Sequence, residues 1–298
     1  MGTLDDLLEG KSFGSLDEAN SFLRRQMQQR NTAPLDDFHG LSSEQMHRLL
    51  YFPFETPSLA EFPSLAGTPE APVLILFAML VTAIGPDGLK TTATGNLPRN
   101  FCREAARAFL GDEEYQRWSR HGELKSEPEF GELHVTRLVA ELAGLIRKFK
   151  GKFILSKECR KLLTGEGPAA CYPRLFRAFV QKYNWAYEDH WGEIPFLQQS
   201  FLFSLYLLGR YGADWRPNAF YEDCFLQAFP NLIPQVQAVA NYYTPEQVVR
   251  LSYSTRVLAR FAAFMGLVIL DRPKTDRYSE GFQVRRLPLF DQVVTFHN

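Results

Sequence analysis

The chain has 298 residues and a formal net charge of −1, with 45% hydrophobic and 22% charged residues. This composition is typical of a globular protein, and it argues against a disordered chain and against a protein that coats nucleic acid through bulk charge. Four cysteines without a C-x-x-C pair indicate neither a zinc knuckle nor a redox dithiol, and the acidic N-terminus lacks an apolar signal core.

Residues 1–70 are predicted to form helices that lead into a proline-rich strap. Ser15 and Ser42 each stand three positions before a side chain that can complete a helix cap, so helices are expected to begin after them. Five prolines interrupt residues 51–72. They favour an extended segment that lies over the body of the protein through its Phe and Leu side chains.

Three later segments share one local pattern, in which a long apolar helix leads into a turn, a strand and a closing element. The helices are predicted over residues 72–84, 133–149 and 245–265. Apolar residues at helical spacing within 133–149 support the second helix. Helix, hairpin and closing element together make up the plan of a winged-helix module.

The predicted fold class is therefore mainly α with short β-hairpins, a helical protein that contains winged-helix-like units. Residues 1–70 would hold the N-terminal helices and the strap, and residues 71–165 would hold two winged-helix-like units. Residues 166–298 would form a helical block that closes with a third such unit. The copies have low identity and unequal spacing, so three unrelated helix–hairpin segments are the alternative.

The stretch Lys90–Arg99, with the letters KTTATGNLPR, resembles the LTATGNLPRK signature of a group of uncharacterised bacterial proteins. Proteins of this group often carry SEC-C-motif or plasmid open-reading-frame-like domains alongside. Only this stretch is distinctive, and the second copy has Cys159 where the group prefers Gly. The resemblance implies a winged-helix-like fold and no established activity, so no functional residue is carried over from it.

Residues 147–161 carry seven basic side chains and one acidic side chain. In a winged-helix unit such a hairpin can lie along the phosphate backbone, where Lys and Arg release counterions. A solvated hairpin with ordinary surface lysines is the alternative. The predicted nucleic-acid-binding residues are Arg147, Lys148, Lys150, Lys152, Lys157, Arg160 and Lys161.

A second candidate group, Gly95, Asn96 and Arg99, lies at the start of a predicted helix. Free N–H groups at a helix start can hold an anion. Capping explains the same residue types, because Gly95 would supply an unusual backbone angle and Asn96 would cap the helix. We expect the capping role rather than an anion site.

Residues 185–193 hold the densest polar and aromatic cluster, in which Asp189, His190 and Glu193 offer metal ligands or an acid–base pair. Only one His is present, so a loop anchored by Trp side chains is the favoured interpretation. The sequence contains no nucleophile elbow, P-loop or H-E-x-x-H motif. No catalytic residue, metal or cofactor is predicted.

Two main hypotheses follow. The first is a non-enzymatic cytoplasmic protein that binds nucleic acid through the basic hairpin, and the second is a scaffold for a protein partner that does not bind nucleic acid. An enzyme with a pocket near Asp189, His190 and Glu193 is a more distant third. The longest apolar runs are shorter than a membrane span, so no membrane partner is expected. The sequence does not define the oligomeric state.

Overall fold

The computed structural model describes residues 11, 13–63, 65, 67, 69–189, 191–237, 242–272 and 281–297. Helices dominate and the strands are short and antiparallel, so the predicted mainly α class with short hairpins is confirmed. Within these residues no helix is long and apolar enough to span a bilayer. Short 3₁₀ turns occur at Asp36–Phe38, Ser119–His121, Glu127–Glu129, Gly167–Cys171 and Pro230–Gln235.

The N-terminal helices begin where their caps predict. Ser15 Oγ accepts a hydrogen bond from the Glu18 N–H, and Ser42 forms a capping box with Gln45. The strap that follows is anchored at residues 60–61, which pair antiparallel with residues 295–296 near the other end of the chain. The elements of this region are α1 (Leu16–Thr32), α2 (Ser43–Tyr51) and β1 (Ala60–Glu61).

Residues 72–155 form a helical unit around a three-stranded sheet. Its elements are α3 (Pro72–Ile84), β2 (Leu89–Lys90), α4 (Arg99–Leu110), α5 (Asp112–Trp118), α6 (Gly131–Leu142), β3 (Ile146–Phe149) and β4 (Lys152–Leu155). The strand order is β2–β4–β3, so the hairpin of β3 and β4 joins the earlier strand through β4. Two helices then lead towards the next unit, α7 (Lys157–Glu166) and α8 (Tyr172–Gln181).

Residues 201–286 repeat this plan around a second three-stranded sheet, in the order β5–β7–β6. A short helix, α9 (Pro195–Gln199), precedes the unit. The elements are α10 (Phe201–Tyr211), β5 (Arg216–Pro217), α11 (Asn218–Ala228), α12 (Pro245–Ser252), a π-helix that continues α12 (Tyr253–Ala263), β6 (Val268–Asp271) and β7 (Gln283–Arg286). The chain ends with α13 (Leu289–Val293) and β8 (Thr295–Phe296).

The three predicted copies of the helix–strand pattern do not each form a sheet of their own. The strand of the first copy and the hairpin of the second belong to one sheet, because Leu89 pairs with Phe153. The second predicted helix, over 133–149, is wrong in its last turns. It ends at Leu142, since Gly144 has a φ of 69° and the Leu145 N–H bonds back to the Ala140 carbonyl, which closes the helix.

The core is rich in aromatic rings, as the 25 Phe residues predict. Phe261 of the π-helix is fully buried, and its ring centroid lies 4.9 Å from that of Trp185 and 5.7 Å from that of Phe179. The two units are in direct contact, because the Val73 N–H of α3 donates to the Phe264 carbonyl at 3.1 Å. The core is therefore continuous across both units.

Candidate nucleic-acid interface

A tight two-residue turn holds the basic hairpin in place. Lys150 has a φ of 46° and Gly151 a φ of 73°. Positive φ at both central residues is the requirement of a type I′ turn, whose twist matches that of the strands it joins. Ile146 pairs with Leu155 and Phe149 pairs with Lys152, so residues 146–155 form a hairpin that reaches into solvent, and its first strand takes the place of the last turns of the predicted helix.

Side chains alternate between the two faces of this sheet. Ile146, Phe153 and Leu155 are buried on the inner face. The opposite face, which we call the outer face, carries Arg147, Phe149, Lys152 and Ile154. Lys150 of the turn lies beside Phe149. Lys152 pairs in register with Lys90 of β2, so Lys90 joins the outer face. Lys90 was missed by the sequence reasoning because only the strand pairing brings it there.

An exposed aromatic ring lies among the cations of the outer face. The side chain of Phe149 is 48% exposed. The guanidinium carbon of Arg147 lies 5.3 Å from its ring centroid and Lys150 Nζ lies 5.4 Å from it. Among the described residues, no carboxylate lies within ion-pair distance of the charged groups of Lys90, Arg147, Lys150 or Lys152.

The other predicted cations do not share this face. Lys148 lies on the opposite side, with Nζ 5.3 Å from the ring centroid of Phe153. Arg160 donates to the Leu155 carbonyl at 2.8 Å, so its guanidinium fixes the end of the hairpin. Lys157 and Lys161 are exposed on α7. The seven predicted residues are therefore only partly brought together.

The Gly95 group forms a turn rather than a cap. Gly95 has a φ of 80°, as expected, and the Asn96 N–H donates to Thr92 Oγ1 at 3.0 Å. The cap residue of α4 is Pro98, which makes no side-chain cap bond, so the capping role predicted for Asn96 is wrong. Arg99 is exposed at the first position of the helix.

A buried carboxylate, that of Glu127, holds the same loop through a hydrogen bond. Glu127 is fully buried, and its Oε2 accepts from the Leu97 N–H at 2.6 Å. Its Oε1 lies 2.8 Å from His134 Nδ1 and accepts from Arg137 Nε at 2.7 Å. Burial acts to raise the pKa of Glu127, but the His134 hydrogen bond, the Arg137 charge and the Leu97 N–H outweigh it and lower the pKa.

The cluster near residue 189 is a structural clamp. Asp189 accepts from Arg256 Nε at 2.8 Å and from Arg260 at 3.2 Å, and both partners belong to the π-helix. Arg256 also donates to the Gly192 carbonyl at 2.6 Å. Glu193 is exposed, and His190 lies outside the described residues. Within the described part of the chain, no His, Cys, Asp and Glu side chains group into a metal site.

The helix that precedes each hairpin is mostly covered. Seven of the 12 residues of α6 are buried, and seven of the 11 residues of the π-helix are buried. A helix that reads base edges needs an exposed face that can enter the major groove. These two helices instead face the interior, so they present no such surface.

The comparison with protein families gave one match. The model of the Y4jL N-terminal domain matches residues 71–169 of the 298, which span the first sheet, the Lys90–Arg99 stretch and α7. No curated protein and no solved structure matched the chain.

Proposed function

We propose that the protein is a non-enzymatic binder of nucleic acid and that it contacts the phosphate backbone through the outer face of the first sheet. The observation that carries the proposal is the group of Lys90, Arg147, Lys150 and Lys152, which share the outer face with a half-exposed Phe149 and have no carboxylate partner among the described residues. Cations at a protruding hairpin that lack a carboxylate partner release counterions from phosphates at little desolvation cost, although Lys152 Nζ also donates to the Asp87 carbonyl at 3.0 Å. An exposed ring adds a surface on which a sugar or a base can pack.

We further propose that the chain holds two winged-helix-like units, residues 72–155 and 201–286, rather than three. Both ranges run helix, strand, helices and hairpin, and both sheets place the second hairpin strand in the middle. The first unit lies within the range of the family match. The N-terminal helices, the strap and α13 with β8 would then be additions around this pair.

Binding of this kind would be independent of sequence. Phosphate contacts position a protein on a duplex, whereas base contacts specify it. The buried α6 leaves the hairpin as the contacting element. Affinity should therefore fall steeply with salt and differ little between sequences.

The test replaces three outer-face cations in one variant, Arg147→Gln, Lys150→Asn and Lys152→Gln. Asn is well accepted at the Lys150 position of a type I′ turn, so the hairpin should persist. We expect the variant to lose most of its binding to a labelled duplex in fluorescence anisotropy. The slope of log affinity against log salt should shrink by roughly 1 for each lost phosphate contact.

A matched control is available on α1. Arg24, Arg25 and Arg30 are exposed, and replacing all three by Gln removes the same charge from another surface. This variant should bind like the parent protein. Equal losses in both variants would mean that bulk charge alone is responsible, and undiminished binding by the outer-face variant would overturn the proposal.

Contact with a protein partner through the same hairpin is the second candidate. Exposed Phe149 with an adjacent Arg favours it, since aromatic residues and Arg are enriched at protein interfaces. It predicts a partner that co-purifies with the parent protein and is lost in a Phe149→Ala variant, with no salt-sensitive retention of nucleic acid. Salt-sensitive binding of the labelled duplex would exclude contact with a protein partner as the only function of the hairpin.

A further inference from the structure

A cleft of about 870 Å³ lies between the two units, on surfaces that the proposed nucleic-acid contact does not use. The first turn of α6 forms one side, and the π-helix forms another. The loop that follows α8 closes the third side. The volume lies within the range of about 300–1,000 Å³ that is typical of small-molecule sites.

The walls of the cleft are largely aromatic. Tyr183, Trp185 and Trp191 line it from the loop after α8, and Tyr243 and Phe282 line it from the second unit. The rings of Trp191 and Tyr243 meet edge to face, with centroids 5.0 Å apart. Tyr183 and Trp185 are nearly buried, so Trp191 and the 38% exposed Tyr243 offer the surface on which a flat, conjugated ligand can pack.

One carboxylate in the cleft has no partner among the described residues. The side chain of Glu188 lines the cleft, and no described donor reaches its oxygens, although its backbone carbonyl accepts from Arg260 at 3.1 Å. The carboxylate packs against Gly131 at the start of α6, where a Cβ would lie 3.2 Å from Glu188 Oε1. Burial raises the pKa of Glu188, because the charged carboxylate is partly removed from water and no described hydrogen-bond donor replaces the water.

Cations also line the cleft. Arg256 is saturated by Asp189 and the Gly192 carbonyl. Arg260 is 38% exposed, and among the described residues it contacts Asp189 at 3.2 Å and the Glu188 carbonyl at 3.1 Å. Arg272 stacks over the ring of Phe282 at 5.0 Å. Because Asp189 already binds Arg256, two arginines, Arg260 and Arg272, remain in the cleft beside the carboxylates of Glu132 and Glu188.

We propose that this cleft binds a purine nucleotide whose base is guanine, with the ring against Trp191 and Tyr243 and the phosphate towards Arg260 and Arg272. The N1–H and the 2-amino group of guanine donate side by side, as a carboxylate such as that of Glu188 requires. Adenine offers one donor beside an acceptor nitrogen on the same edge, and that nitrogen would face the carboxylate. The ligand thus supplies a pair of donors to Glu188 and a phosphate to Arg260 and Arg272.

The test is isothermal titration calorimetry of the full chain with GMP and with AMP. We expect GMP to bind and AMP to bind at least tenfold more weakly, the discrimination typical of one bidentate pair. Glu188→Gln should reduce this preference to near unity, whereas Glu193→Gln, at an exposed position of the same loop, should leave it unchanged. Arg272→Gln should weaken GMP but not guanosine.

Other outcomes would overturn the assignment. These are equal affinity for GMP and AMP, GMP affinity that survives Glu188→Gln, or no heat with either nucleotide. Thermal unfolding of each variant shows whether a loss of binding reflects a loss of fold. The outer-face triple variant should retain GMP binding, so the failure of the duplex contact and the failure of this site are separable.

The nucleotide has two sources, a free mononucleotide or a base within a strand. A guanine-containing single-stranded oligonucleotide that displaces GMP better than its adenine counterpart indicates a strand. Displacement by neither oligonucleotide indicates the free nucleotide.

Discussion

Glu127 connects more separate parts of the first unit than any other side chain described above. It ties the loop before α4 to two residues of α6, and Arg137 continues the network to Glu141 at 2.6 Å. The His134 ring also stacks on Tyr187, which belongs to the loop after α8. A buried charge of this kind stabilises the fold only while every partner is present.

Replacing Glu127 tests this dependence. Because its pKa is lowered in the folded state, its contribution is fully present above the ordinary value of 4.5 and is lost as pH falls through the folded value. We expect Glu127→Gln to lower the free energy of unfolding by roughly 3 kcal/mol at neutral pH. Urea unfolding between neutral and acidic pH should show a shallower acid limb in the variant than in the parent.

Glu129 provides the control from the same 3₁₀ turn, where it is exposed. Glu129→Gln should change the stability by under about 1 kcal/mol. Parallel pH profiles for the parent and Glu127→Gln would show that Glu127 does not carry the acid sensitivity.

Single residues were partly predictable from the sequence. Arg147 and Lys152 were predicted from the basic run at residues 147–161. Lys90 does not, because it reaches the outer face through a pairing with Lys152, and Lys148 is placed on the opposite face by the same alternation. Glu127 carried no local signal, since its partners in α6 are separated from it in sequence.

The elements are delimited by a few backbone positions. Ser15 and Ser42 start helices as the cap rules predict, and Thr244 forms a capping box with Gln247 at the start of α12. The C-terminus of α6 was misplaced although Gly144 marks it, because the apolar stripe continued past the glycine into β3. Periodicity alone cannot separate a helix end from a buried strand.

Gly88 tests how closely β2 and β4 approach. Its φ is 79°, and a Cβ would lie 2.9 Å from Ile154 Cγ2 and 2.9 Å from the Phe153 carbonyl oxygen. Gly151, in the turn of the same sheet, has a φ of 73° and nothing within 4 Å of that position. Gly88→Ala combines a strained φ with crowding, whereas Gly151→Ala has the strained φ only.

We therefore expect Gly151→Ala to cost about 1–2 kcal/mol in the free energy of unfolding, and Gly88→Ala to cost at least about 1 kcal/mol more. Urea denaturation of the two variants provides the measurement. Equal costs would indicate that β2 moves away freely and that the sheet is not closely packed there.

At the scale of the whole molecule, the two units are joined by shared structure rather than by a linker. The loop after α8 touches α6 through Tyr187 and the π-helix through Asp189. Gly266 follows the π-helix with a φ of 74°, and a Cβ there would lie 2.8 Å from Ala71 Cβ. This organisation was not predictable from the sequence, because it depends on pairings between residues far apart in the chain.

Asp189→Ala should expose that coupling. It leaves the guanidinium of Arg256, which is 1% exposed, without its carboxylate. We expect a loss of about 3–5 kcal/mol, and a single unfolding transition in both the parent and the variant as followed by tryptophan fluorescence and circular dichroism. Glu193→Ala, in the same loop but exposed, should stay within about 0.5 kcal/mol of the parent. Two separated transitions in the parent would contradict the joined architecture.

The π-helix has a consequence for how this chain tolerates changes in length. Its wider coil, with bonds five residues apart, accommodates more residues per turn than an α-helix. Deleting one residue would let the segment adopt α-helical geometry without interrupting the continuous helix that α12 and the π-helix form. Everything beyond the deletion would then rotate, and Arg260 would turn away from the loop that holds Arg256. Insertions and deletions here would therefore change the orientation of the second hairpin rather than unfold the protein.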